Sequence, residues 1–142
     1  MLSLILDTNV VISGLIGKSS PYKILELILT KKVILFISDD IFEEYVAVIN
    51  RDKFSHFTDF ISKASIVLNR IDEIAVKYNP NEKVDVLTDK DDNKFLELAL
   101  CSNANYLVTG NIKDFKIPVF NKTNIVTPSG FLEKFRTYKN IK

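Results

Sequence analysis

The chain reads as an α/β fold built on a mainly parallel sheet. Three observations carry that reading. Short apolar runs of strand length recur along the 142 residues, at Leu2–Leu6, Val33–Ile37, Tyr106–Thr109 and Asn124–Val126. Segments with apolar residues at helical spacing lie between them, and this alternation is the signature of a parallel sheet with covering helices. There is also no internal repeat, low-complexity tract or linker to divide the chain, and Asn79-Pro80-Asn81-Glu82 reads as a turn.

The elements follow in order. Leu2–Leu6 is apolar throughout and stops at Asp7, which reads either as a helix cap or as the first member of a charged site. Pro21 begins a helix whose stripe is Ile24, Leu25, Leu27 and Ile28. After Val33–Ile37 a second helix starts near Ser38 and runs through Ile49. A third covers about Phe54 to Ile71, with Phe57, Phe60, Ile61, Ala64, Val67 and Leu68 at helical spacing. Ile74–Val76 fits either a short edge strand or the end of that helix. A fourth helix is expected from about Asp91 to Asn103 and a short last one from Pro128 to about Phe135. Pro118–Phe120 is a weaker strand candidate. The basic KFRTYKNIK end reads as a solvated tail, frayed over about 137–142.

Length and composition narrow the class. A single domain of this size buries roughly 70% of its unfolded surface, enough for a core without staples. The single cysteine, Cys101, rules out an intramolecular disulfide and fits a reducing compartment. No apolar run approaches the ~20 residues of a membrane span, and Asp7 and Asn9 interrupt the N-terminal one, so a cytoplasmic protein without a membrane partner is expected. The net charge of +1 neither demands nor excludes nucleic acid.

Open α/β sheets bind their ligands beyond the carboxyl ends of the strands. Acids recur there: Asp7 after the first strand, Asp39 and Asp40 with Glu43 and Glu44 after the second, and Asp114 after the third. Asp39 and Asp40 suit a helix N-terminus, where an acid is favourable by itself. Glu44 lies three residues after Ile41 and four before Val48, at the margin of the apolar face, and Glu43 points further out. Asp92 precedes Phe95, Leu96 and Ala99 by three, four and seven residues, which puts it at a helix N-terminus on the face that meets the sheet. Asp91 lies off-centre and Asp89 ahead of the helix. Converging carboxylates repel one another, and a hard divalent cation, Mg²⁺ or Mn²⁺, relieves them and supports phosphodiester hydrolysis.

Absences point the same way. There is no phosphate-binding glycine loop of either common type. His56 sits among surface-like residues, and Cys101 has no histidine to activate it and reads as a small core or edge residue. Water activated by metal or carboxylate is what remains.

LILDTNVVISGLI, SDDIFEEYVAVINRDKF, DKDDNKFLELALCSNANYLVTGNIKDF and IVTPSGFLEKF occur in that order over nearly the whole chain. In this the chain resembles the PIN-domain nucleases, and among them the small toxin components of prokaryotic toxin–antitoxin systems. The resemblance implies a three-layer α/β/α sandwich, a Mg²⁺- or Mn²⁺-binding acidic pocket and a ribonuclease acting on single-stranded RNA. It also implies a cognate antitoxin and a homodimer. The family acids fall on Asp7, on Glu44 and on Asp92, with Asn9 and Thr109 in supporting positions. Relatives often carry an acid where this chain has Asn111, so Asp114 is the candidate fourth carboxylate and Asn111 a neutral one. Lys113 or Arg51 would hold the RNA backbone. Two competing readings remain. A phosphatase with an aspartyl nucleophile would need a second acid where Asn9 stands, and a catalytically weak or inactive RNA- or protein-binding module is motivated by Asn111.

Overall fold

The structure, a computed structural model, describes residues 1–141, without the side chains of residues 52, 58 and 141. Its first strand, β1 (Ser3–Leu6), is buried along its whole length. Helices α1 (Thr8–Ile16) and α2 (Ser20–Leu29) lead to β2 (Ile34–Ile37) and α3 (Asp39–Ile49). A 3-10 turn (Asp52–Phe54) precedes the long α4 (Thr58–Ile74), which ends beside the short β3 (Val76–Lys77). After an extended loop come a second 3-10 turn (Lys90–Asp92), α5 (Asn93–Ser102) and β4 (Tyr106–Val108). The short α6 (Ile112–Phe115), β5 (Val119–Phe120), β6 (Thr123–Val126) and α7 (Pro128–Ile141) complete the chain.

The six strands form one sheet in the order β3-β2-β1-β4-β6-β5. Every pairing is parallel except that of β5 with β6, as a tight β5–β6 connection requires. Helices cover both faces, which makes the three-layer α/β/α sandwich expected from the resemblance. The order reverses at β1: β2 and β3 extend the sheet one way, and β4 and β6 the other. Leu6 and Val108 are in register there, so the residues that follow them, Asp7 and Thr109, emerge side by side. In an open sheet this switch point is where a ligand crevice forms.

The four main strands and helices α2, α3, α4, α5 and α7 match the sequence pattern, with shifted ends, while the short α6 was not expected. The third helix begins at Thr58 rather than Phe54, because a separate 3-10 turn intervenes. Ile74 closes α4 and Val76 opens β3, so the ambiguous Ile74–Val76 stretch belongs to both. The last helix continues past Phe135 to Ile141, and of the expected basic tail only Lys142 lies outside the described residues. The stretch after Asp7, to which the pattern assigned no element, is α1. Its exposed stripe, Asn9, Ser13 and Ile16, falls at helical spacing, but it carries no charge and includes an apolar residue, so little polarity contrast marks the helix in the sequence.

Gly14 lets α1 and α2 approach closely. A Cβ there would sit 2.6 Å from Leu25 Cδ1 and 3.0 Å from the Pro21 carbonyl oxygen. Leu25 is itself buried, so it has little room to yield. Gly14→Val is expected to cost about 1–3 kcal/mol through overpacking. The check is urea denaturation, with a lower midpoint at an unchanged slope.

Candidate active site

Asp7 occupies the N-cap position of α1 without making a side-chain capping hydrogen bond. Its carboxylate instead accepts a hydrogen bond from Thr109 Oγ1 at 2.8 Å, across the switch point. Thr109 is fully buried, and its hydroxyl also accepts from the Asn111 amide at 3.0 Å, which ties the loop after β4 to the same acid. Burial raises the Asp7 pKa most, and Glu44 adds to the rise; the Thr109 hydroxyl and the nearby Asn9 and Thr8 amides pull it down. Asn9 thus supports Asp7 through its main chain, while its side chain lies on the exposed surface.

Tyr45 fixes the height of α3. Its fully buried hydroxyl donates to the Leu6 carbonyl at 2.6 Å, which locks the helix to the end of β1. Burial raises the Tyr45 pKa well above its usual range, with Asp7 and Glu44 adding to the effect, so it stays a neutral donor. The neighbouring Glu44 faces the site: one carboxylate oxygen accepts from the Thr8 hydroxyl and the other pairs with the Lys94 ammonium. Glu43, Asp39 and Asp40 are exposed.

Asp92 stands at the start of α5, half-buried and making no capping bond. Its pKa is pushed up from 3.8 to about 6, first by desolvation and then by the charges of Asp7, Asp89, Asp114 and Glu44. Asp7, Glu44 and Asp114, the other acids selected from the sequence, therefore bear on Asp92 electrostatically, and Asp89 joins them. Asp89 ends the loop before α5 and accepts a hydrogen bond from the Asp91 amide at 3.0 Å. The loop is held in place by buried Asn93, which accepts from the Leu87 amide at 3.0 Å. Asp114 is exposed, and its carboxylate accepts from the Asn111 side-chain amide. His56 and Cys101 both lie at the surface, Cys101 on α5 rather than in the core.

The donor set suits a hard divalent cation in kind and in charge: all oxygen, with the charges of four carboxylates bearing on Asp92. In the conformation described, among the described residues, no three acidic, histidine or cysteine side chains meet around one point. Glu44 has both oxygens engaged and Asp114 is tied to Asn111.

The raised Asp92 pKa has a consequence for stability. A carboxyl whose folded pKa exceeds its unfolded value is a penalty when ionised. That penalty is absent below 3.8 and fully present above about 6. In chelator at pH 7, Asp92→Asn is therefore expected to raise Tm by a few degrees, and the gain to shrink as pH falls through that window. Thermal melts of both proteins across this pH range provide the check.

With this geometry in view, comparison with known proteins identifies the family. The PIN domain family matches residues 3–113, which is most of the chain. An uncharacterized protein of Methanocaldococcus jannaschii is 30% identical over 146 aligned positions, covering 96% of this chain and 94% of the relative. In fold, the chain is similar to a chain of the crystal structure of VapBC2 from Rickettsia felis bound to a DNA fragment from their promoter. That likeness has a TM-score of 0.60 at 20% identity and covers 89% of this chain and 98% of the other. The chain belongs to the PIN-domain family.

Proposed function

We propose that the protein is a metal-dependent endoribonuclease that hydrolyses phosphodiester bonds of single-stranded RNA and serves as the toxin of a toxin–antitoxin pair. The observation that carries this reading is the environment of Asp92: four further carboxylates bear on it at the switch point of a PIN-domain sheet. Repulsion of that kind is costly in an empty site and useful in one that takes a cation and a phosphate.

Asp7, Glu44, Asp92 and Asp114 would hold the ion. A bound Mg²⁺ or Mn²⁺ supplies charge neutralisation, a water of lowered pKa and a positive charge for the scissile phosphate. The chain's own residues supply position. Thr109 orients Asp7, Tyr45 sets the height of Glu44, and Asn93 holds the loop that carries Asp89. Exposed Arg51 and Lys113 are suited to the phosphates of the RNA backbone.

An antitoxin partner is supported by the fold likeness to a VapBC2 chain and by an apolar surface. Leu15, Ile16, Phe54, Phe57 and Phe60 line a cavity of about 430 Å³, and Ile16 and Phe57 are more than 60% and about 60% exposed. Apolar groups left in water over such an area suit a protein partner. No helix among the described residues is long and apolar enough to cross a membrane, in keeping with the cytoplasmic reading. The homodimer rests on the family resemblance and is read by a mass measurement in solution.

A second reading, a binding module with weak or no catalysis, is favoured by one contact. Asn111 brings no charge and its amide occupies the Asp114 carboxylate. The two readings part in one experiment. Wild-type and Asp7→Asn proteins are incubated with labelled single-stranded RNA and Mn²⁺ or Mg²⁺, then with chelator. The nuclease reading expects cleavage that falls by a factor on the order of 10² or more in the variant and stops with chelator. Equal cleavage by both proteins overturns it, and RNA retention without cleavage favours the binding module.

A further inference from the structure

Lys94 is the cation of this site. Its ammonium pairs with a Glu44 oxygen, joining α5 to α3 across fifty positions of sequence. The pair is 21% and 27% exposed, whereas the side chains in the other ion pairs among the described residues, Arg70–Glu73, Lys77–Asp72 and Lys90–Asp85, are 45% exposed or more. A shielded pair is less screened by salt than a surface one, so its charge matters more to its neighbours. Its partner Glu44 is one of the carboxylates that bear on Asp92, which lies two positions before Lys94 in the chain.

We propose that Lys94 is the resident counter-cation of the acidic site, competing with the divalent ion for Glu44. The Glu44 carboxylate offers two oxygens, and the Thr8 hydroxyl takes one and Lys94 the other. Each oxygen keeps a further lone pair, so Lys94 competes with an ion for Glu44 through its charge and position and does not fill the carboxylate. The absence, among the described residues, of any three acids gathered on one point is the geometry expected of a site held by its internal ammonium. Lys94 is thus a positioning residue: it balances the cluster in the ion-free protein and sets the cation concentration at which the site fills. This inference rests on the metal-site reading above and deepens it.

The test is Mn²⁺ binding to the full chain, followed by electron paramagnetic resonance, for wild type, Lys94→Gln, Lys94→Arg and Asp7→Asn. Lys94→Gln is expected to bind Mn²⁺ about tenfold more tightly, the size of an ordinary coupling between two ligands of one site. Lys94→Arg, which keeps the charge, is expected to stay near wild type. In chelator Lys94→Gln is expected to melt lower than wild type, and Mn²⁺ to raise its melting temperature by more. In a Glu44→Gln background, Lys94→Gln is expected to lose most of its effect on affinity. Unchanged or weaker Mn²⁺ binding by Lys94→Gln, in a protein whose affinity Asp7→Asn abolishes, overturns the role of Lys94 and leaves the metal site standing. Absence of Mn²⁺ binding by both wild type and Lys94→Gln overturns both. If Lys94→Gln fails to fold, Lys94→Arg decides: a loss of Mn²⁺ affinity despite the retained charge overturns the proposal.

Discussion

Asp7 carries a negative charge into a place where little water reaches it, at the end of a strand buried on both faces. A carboxylate there is tolerated only where something answers it. Thr109 answers from the neighbouring strand, and the parallel register of β1 and β4 puts the two residues side by side. The rest of the site follows from that constraint. Asn111 is drawn back onto Thr109, and Tyr45 reaches the carbonyl of the residue just before Asp7. Both contacts fasten a second element, the loop after β4 and helix α3, to the same point.

Gathering acids around Asp7 runs against folding. Asp92 carries the clearest mark of this, since its neighbours and its partial burial keep it reluctant to ionise. Proteins that need a concentrated negative field accept some loss of stability to hold it, and functional sites are where such strain collects. Lys94 sets one positive charge against Glu44 from inside the chain. On the proposed reading, an incoming cation would replace a protein contact and would not enter a bare acidic hole.

The periphery follows different physics. Gly14 and Leu25 set the approach of α1 to α2, and a separate surface carries Ile16 at the end of α1 and Phe57 just before α4, two apolar side chains left largely in water. This surface shares no lining residue with the acidic site. If the proposed function holds, chemistry and association would be separable, one through carboxylates at the strand ends and the other through apolar side chains on the helices.

Much of this was legible in the linear sequence. Strands β1, β2 and β4 announce themselves because a strand covered on both faces must be apolar along its length, a local property, whereas β6 shows only the shorter apolar pair Ile125-Val126. Glu44 and Asp92 could be assigned to inward-facing positions because helical spacing relates each to the apolar residues on its own helix. The rest needed the folded chain. Helix α1 escaped because its exposed stripe, Asn9, Ser13 and Ile16, holds no charge and one apolar residue, so the polarity contrast that marks a surface helix is weak. Asp89 looked like a loop residue until Asn93 was seen to hold that loop beside Asp92. Lys94 gave no signal at all, since its partner lies fifty residues away on another helix. Periodicity records which side of its own element a residue faces. Which charges meet depends on how elements pack, and that is decided only when the sheet has set the strand ends side by side.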